Sequence, residues 1–285
     1  MKQFPRTTVG GMSLPRMLMG TNWLLGWSHT SAAADRAIKE KYARPEDFYP
    51  VFEAYLSYGV DAVMAPISTT PIAEAAINYA EQKSGRKIIR IDTPAINVND
   101  SAEGRRAAEA AIRHSAEVGS DFCLIHHTST EELVNKNKRI IDRLPDYLAM
   151  IRDAGMKPGL SAHMPEIVQY ADANEYDVET YIQIFNCMGF LMQIEVEGVA
   201  RIIQNTKHPV MTIKPFAAGR CTPFVGLNFN WNVIRECDMI TVGANSAAEV
   251  HEDVEISLAA LERHFPDLAG RSSPFKQAVL GHDVK

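Results

Sequence analysis

Eight short apolar runs recur along the chain, at Leu14–Gly20, Val60–Ala65, Lys87–Asp92, Phe122–His126, Lys157–Ala162, Tyr181–Phe185, Val210–Lys214 and Met239–Val242. They are rich in Val, Ile, Leu and Met with little polar alternation, the pattern of strands buried on both faces. Between them the periodicity becomes helical. Pro45–Tyr58 opens on Pro-Glu-Asp and stops at Gly59, and Thr70–Gln82 has a capping threonine before Pro71. Ser101–Val118 and Asn137–Ala154 carry one apolar face each, the latter with Pro145 as a possible kink. Pro165–Ala173, Gly198–Asn205 and Ser246–His264 complete the set. Strand and helix alternating eight times predict an α/β fold, a (β/α)8 TIM barrel or a long doubly wound sheet. The length favours the barrel, as one domain over residues 1–285. No GxGxxG follows the first strand, which argues against a dinucleotide-binding open sheet.

Polar residues close these runs or follow them directly: Asn22, Asp92, His126, His163, Lys214 and Asn245. In a barrel the C-terminal strand ends converge on one face, where such folds place their active sites. The pattern therefore predicts a pocket at the barrel mouth.

Composition narrows the partners. The 285 residues are 46% hydrophobic and 22% charged, ordinary for a globular chain. A net charge of −6 with no basic block argues against nucleic acid. No apolar run is long enough for a bilayer, and Met1–Arg6 lacks the apolar core of a signal peptide. Cys123, Cys187, Cys221 and Cys237 form no CxxC pair, so reduced thiols in a cytoplasmic protein are expected. The twelve methionines fall mostly in or beside strands and read as core fillers. A homo-oligomer is compatible with all of this.

The opening stretch from Arg6 to Trp23, with Val9-Gly-Gly-Met-Ser-Leu14 and Met19-Gly-Thr-Asn-Trp23, resembles the start of aldo-keto reductases. Ser120-Asp-Phe-Cys-Leu-Ile-His126 is similar to that family's fourth strand, and Gly159-Leu-Ser-Ala-His-Met-Pro-Glu166 to its fifth. Lys214-Pro-Phe-Ala-Ala-Gly219, then Val242-Gly-Ala-Asn-Ser246 and Glu249, are similar to its seventh and eighth. The resemblance spans about residues 6–262 and implies a barrel plugged at the bottom by an N-terminal hairpin. It also implies an Asp, Tyr, Lys and His tetrad and bound NAD(P)H. Of the tetrad only His126 is present. Met64 stands in place of the aspartate, Thr69 near that of the tyrosine, and Asp92 or Thr93 in place of the lysine. Carbonyl reduction would then lack its acid. The arginine and asparagine that grip the 2′-phosphate correspond to Glu249 and Asp253, which would repel it. The resemblance thus implies a barrel that has lost hydride transfer.

Other chemistry fits the residues that remain. Asp92, His126 and His163 end adjacent strands and can converge on one point. Two imidazoles and a carboxylate suit Zn²⁺, Mn²⁺ or Fe²⁺, with Glu195 or Glu197 as a fourth ligand or general base and His29 and His127 in reserve. Equally, His126 can be an inherited neutral donor, His163 a loop residue and Asp92 a capping group. Lys214 can form a Schiff base or bind an anionic group together with Arg220. Asn22, Trp23, Trp27, Ser28 and His29 would form a wall suited to a small polyhydroxylated ligand, or simply pack the loop. Asn245 and Gly243 precede a helix that begins near Ser246, an N-cap or an anion site. The expected function is a metal-assisted isomerase, epimerase or lyase acting on a small sugar-like carbonyl compound. An NAD(P)H-dependent reductase and a non-catalytic ligand-binding barrel stand as alternatives.

Overall fold

The computed structural model describes residues 2–268; Met1 and residues 269–285, part of the expected domain, lie outside the described residues. Two short strands, β1 (Arg6–Val9) and β2 (Met12–Pro15), form an antiparallel hairpin. Its two-residue turn is Gly10-Gly11, at φ 54° and 77°, which glycine enters without a Cβ penalty. Eight parallel strands follow: β3 (Met17–Gly20), β4 (Ala62–Ala65), β5 (Ile89–Asp92), β6 (Phe122–Ile125), β9 (Lys157–Ala162), β10 (Thr180–Ile184), β11 (Val210–Ile213) and β12 (Met239–Gly243). They close into one barrel in chain order, with β12 pairing β3. A minor hairpin, β7 (Val134–Asn135) and β8 (Ile140–Ile141), lies between β6 and β9.

The helices are α1 (Asn22–Leu25), α2 (Ala32–Lys41), α3 (Tyr49–Ser57), α4 (Pro71–Ser84), α5 (Ala102–Glu117) and α6 (His127–Glu132). They continue as α7 (Leu144–Asp153), α8 (Glu166–Ala173), α9 (Val196–Asn205), α10 (Pro223–Val233) and α11 (Ala247–Glu262). Among the described residues no helix is long and apolar enough to cross a membrane.

Two apolar layers hold the barrel. Inside it pack Leu18, Ala62, Ile91, Phe122, Leu124, Ile182, Met211 and Met239, together with Val9 and Leu14 from the hairpin. The hairpin therefore closes one end of the barrel, as the plug expectation required. Outside it, the alternate strand residues such as Met19, Val63, Cys123, Leu160, Tyr181 and Ile240 pack against the helices. A continuous apolar run is thus two interleaved faces of period two, one for each layer.

Two segments depart from the expected pattern. The run Leu14–Gly20 is two strands, divided at the buried Arg16, whose guanidinium donates to the carbonyls of Asp238 and Arg235. The helix expected over Asn137–Ala154 begins only at Leu144. Pro145 sits in its first turn, where its missing N–H costs nothing, and does not kink it. The preceding residues form the β7–β8 hairpin. Helices α1, α2, α6 and α10 have no counterpart among the helices expected from the sequence. Helix α10 carries Gly226 where an added Cβ would lie 2.6 Å from the Pro215 carbonyl. That close approach seats the helix directly on the loop after β11.

Candidate active site

The pleat decides which strand-end residues reach the mouth. On β6, Phe122 and Leu124 point inward, so His126 does too; on β9, Gly159 and Ser161 share a face with His163. Both histidines line a cavity of about 290 Å³, of the size that takes a small metabolite. On β5 the inward face carries Ile91 and then Thr93. Asp92 has the opposite phase and joins Arg90 in the helix layer, where Arg90 pairs with Glu81 at 2.6 Å. Fully buried, Asp92 accepts the N–H groups of Ile67 at 2.7 Å, Thr93 at 2.9 Å and Ser68 at 3.3 Å through Oδ1. It braces the loop after β4 and does not line the cavity. The expected cluster of Asp92, His126 and His163 therefore does not assemble.

A different cluster does. Helix α6 starts immediately after His126, placing His127 beside it with ring centroids 4.2 Å apart. The His127 ring stacks on His163 at 3.7 Å. One helical turn on, Glu131 reaches back and accepts the N–H groups of His163 at 2.9 Å and Met164 at 3.1 Å. Across the mouth, Lys214 Nζ lies 3.1 Å from His29 Nε2. All these imidazoles and the lysine line the cavity, whereas among the described residues no Asp, Glu or Tyr does.

Burial among like charges sets the protonation of this cluster. Desolvation, then His127, pushes His126 down to about 4. Desolvation, then His127 and Lys214, takes His163 to about 3. His127 and His29 are lowered by desolvation first and by Lys214 second. Burial alone brings Lys214 down to about 8. Near neutral pH the mouth thus holds four neutral imidazoles and one lysine poised to exchange its proton. The tautomer of His126 follows from its neighbours. Its Nδ1 accepts the Thr128 N–H at 3.5 Å and lies 2.9 Å from Thr128 Oγ1, contacts that favour the tautomer with the ring proton on Nε2.

Backbone strain marks the same place. Lys214 (φ 61°) and His29 (φ 57°) both occupy the left-handed region, as do Ala217 and Ala218 beyond the lysine. Each such residue costs on the order of 1 kcal/mol, and strain of this kind gathers at working sites. The loop after β3 supplies Asn22, Trp23, Trp27 and Ser28 to the cavity wall, as expected. Gly243 makes room for it, since an added Cβ would come within 3.2 Å of the Trp23 ring.

Three further expectations are corrected. Glu195 and Glu197 are exposed at the start of α9, outside the cavity, because the eleven-residue loop 185–195 separates β10 from that helix. Arg220 also lies outside it, stacked 4.1 Å over Phe190 and donating to the Ala217 carbonyl. Asn245 is tied elsewhere: its carbonyl accepts from Lys41 and Tyr42, and its N–H donates to Glu249. Ser246 is an N-cap, accepting the Glu249 N–H. Sequence reasoning held His127 only in reserve and missed Glu131. The signal was the His127-x-x-x-Glu131 spacing, readable once a helix is placed directly after the β6 run.

Glu249 and Asp253 stand on α11, where the resemblance implies the grip on a 2′-phosphate. Glu249 is committed to the Asn245 N–H, and Asp253 is buried behind it with its pKa raised well above the usual carboxylate range, by desolvation and then by Glu249. Two acids in these positions do not fit the 2′-phosphate of NADPH, and among the described residues no tyrosine lines the cavity.

No family model matches the chain, and no curated protein matches it. Solved structures share its architecture. A protein of Pseudomonas aeruginosa assigned to the aldo-keto reductases superposes with a TM-score of 0.64 at 13% identity, over 91% of this chain and 97% of that one. An aldo-keto reductase of the silkworm Bombyx mori gives 0.56 at 13%, over 96% and 97%. An aldose reductase from Giardia lamblia gives 0.54 at 13%, over 94% and 90%. The chain therefore has the aldo-keto reductase barrel fold, and identities this low speak to fold alone.

Proposed function

We propose that this barrel is an enzyme that moves protons on a small, polar, sugar-like carbonyl compound, by isomerisation, epimerisation or lysis, and that it has given up hydride transfer. The observation that carries this reading is a cavity whose titratable side chains, among the described residues, are four neutral histidines and Lys214. An acid–base catalyst works best with a pKa near the working pH, and Lys214 at about 8 meets that condition while His126 and His163 do not. The division of labour follows. Lys214 takes the proton α to the carbonyl, and His29 at 3.1 Å relays protons between it and solvent. His126 Nε2–H, held in that tautomer by Thr128, donates to the carbonyl oxygen as charge develops there. Trp23 and Trp27 offer apolar faces to the carbon skeleton, while Asn22 and Ser161 fix its hydroxyls.

A panel of aldoses, ketoses and their phosphates, incubated with enzyme in D2O and followed by proton NMR, tests this reading. Exchange of the proton α to the carbonyl is expected with at least one member and is expected to vanish in Lys214→Met. Stoichiometric oxidation of NADPH by the same compounds, or exchange undiminished in Lys214→Met, would overturn it.

A further inference from the structure

We propose that His127, Glu131 and His163 form a binding site for one divalent transition metal ion, Zn²⁺ being the probe of choice. The three side chains bring one ligand atom each to within 4.8 Å of one another. Around a tetrahedral ion with bonds of about 2.0–2.2 Å, ligand atoms stand about 3.4 Å apart. The ligand atoms need to close by about 1 Å, and the His127 and His163 rings, stacked at 3.7 Å with 19° between their planes, need to turn out of the stack so that both in-plane lone pairs meet the ion.

Two independent features single out this trio among the polar groups of the mouth. His127 Nδ1 is buried and has no hydrogen-bond partner among the described residues, lying 3.8 Å from Glu131 Oε1. A buried nitrogen left unpaired is costly, and a metal bond would satisfy it. The carboxylate is also held in place. Glu131 Oε1 accepts the N–H groups of both His163 and Met164, so the acid is oriented by the backbone that carries the other histidine. Such outer hydrogen bonds aim a metal ligand and limit its freedom. The sequence spacing contributes too: His127 and Glu131 are one turn apart on α6 and share a face, and β9 delivers His163 opposite them.

Two imidazoles and one carboxylate are the donor set of open catalytic zinc sites and of facial non-haem iron sites, with coordination positions left for a substrate oxygen. Here those positions face the cavity that His127 and His163 line. The ion would give a polyhydroxylated or carbonyl ligand a second anchor opposite Lys214. This site shares the cavity with the proton-transfer reading but does not rest on it.

Untagged protein, stripped with chelator and dialysed, is titrated with Zn²⁺ by calorimetry, with Co²⁺ absorption as a second readout. One ion per chain is expected, with d–d bands typical of four or five ligands. Glu131→Gln keeps an acceptor for the two backbone N–H groups while removing the charge, and is expected to weaken binding at least tenfold. His163→Ala and His127→Ala are expected to abolish saturable binding. An unchanged affinity in all three variants, or no saturable binding by the parent protein, would overturn the proposal. Full proton exchange activity in protein proven metal-free would leave the Lys214 reading intact and confine the ion to a role outside that step; loss of exchange in Lys214→Met with intact Zn²⁺ binding would separate the two in the other direction.

Discussion

Two sectors of the barrel mouth bury ionisable groups to opposite ends. Where β6, β9 and β11 end, the groups are bases facing a cavity: His126, His127, His163 and Lys214. Where β12 meets α11, they are acids turned into the packing: Asp253 is 3% exposed, and Tyr55, fully buried near it, has its hydroxyl on the Val242 carbonyl at 2.9 Å. Desolvation disfavours charge in both sectors, lowering the bases and raising the acids. What differs is access. In the first sector the neutral groups meet a space that a substrate can enter; in the second they meet only protein. Perturbed titration marks a working site only where a cavity accompanies it.

The largest expected effect tests the accessible sector. Lys214→Met should lower kcat/KM for the substrate by 10² to 10⁴, the usual contribution of an acid–base group, while circular dichroism and thermal midpoint hold. The parent enzyme should show kcat/KM rising with pH to a plateau, with a midpoint near the Lys214 value of about 8, since the deprotonated amine is the active form. A flat profile from pH 6 to 10 would remove Lys214 from the chemistry. By contrast, Asp253→Asn should leave kcat/KM within about twofold. Its effect belongs to stability. Because the folded pKa is raised, the native state holds its proton more tightly than the unfolded chain does, and stability falls as pH rises above the unfolded value of about 3.9. Urea unfolding at pH 4 and pH 7 should show that loss reduced in the asparagine variant.

Next in size is a pair of strand-end residues that look alike in sequence and should behave oppositely. Asp92→Ala removes the acceptor for three backbone N–H groups and leaves them buried, which should cost about 3 kcal/mol of stability. His163→Ala should cost far less stability and should instead weaken metal binding and, because its ring lines the cavity, substrate binding. Denaturant midpoints measured alongside kcat/KM separate the two; equal destabilisation would put His163 in the structural class.

That pair shows how much of the molecule was legible. Seven of the eight barrel strands could be read to within two residues at each end, and the eighth, β3, lies inside a run that also took in part of the hairpin, because a parallel strand packed on both faces is largely apolar. The same continuity hides the phase of the pleat. Phe122–Ile125 is apolar throughout and does not declare which face is inside, whereas Ile89-Arg-Ile-Asp92 alternates and already sets Asp92 with Arg90, away from the inward Ile91; one position of phase separates Asp92 in the helix layer from His126 in the cavity. His163 could be placed because it follows its strand on the inward phase; Lys214 follows the inward Met211 and Ile213 on the opposite phase and enters the cavity through its left-handed backbone at φ 61°. Glu131 could not be placed, because α6 is only six residues long and too short to show a period. The β10–α9 loop concealed the displacement of Glu195, since loop length says nothing of direction.

Acid pH should distinguish the sectors more gently. His163 and His126 have folded pKa values of about 3 and about 4, below the unfolded value of about 6.5. The unfolded chain therefore binds more protons across that window, and stability present above about pH 6.5 is lost as pH falls toward 4. Replacing both with asparagine should flatten this part of the stability curve, measured by thermal midpoint at half-unit intervals. An unchanged slope would mean that the imidazoles are more hydrated than their burial implies.

The smallest expected effect concerns Arg220, which sequence reasoning assigned to the substrate. Its guanidinium stacks on Phe190 and one nitrogen donates to the Ala217 carbonyl, so it touches the loop that follows Lys214 and not the cavity. That loop holds Lys214, Ala217 and Ala218 in left-handed backbone, a conformation that neighbouring contacts must sustain. An exposed cation–π contact is worth about 0.5–1 kcal/mol, so Arg220→Ala should alter kcat/KM by no more than about fivefold. The loss should appear in kcat, because the displaced group is the lysine that moves the proton, and Arg220→Lys should recover little of it, since an ammonium cannot stack as a plane. A large rise in KM for an anionic substrate, restored by the lysine variant, would return Arg220 to the binding site.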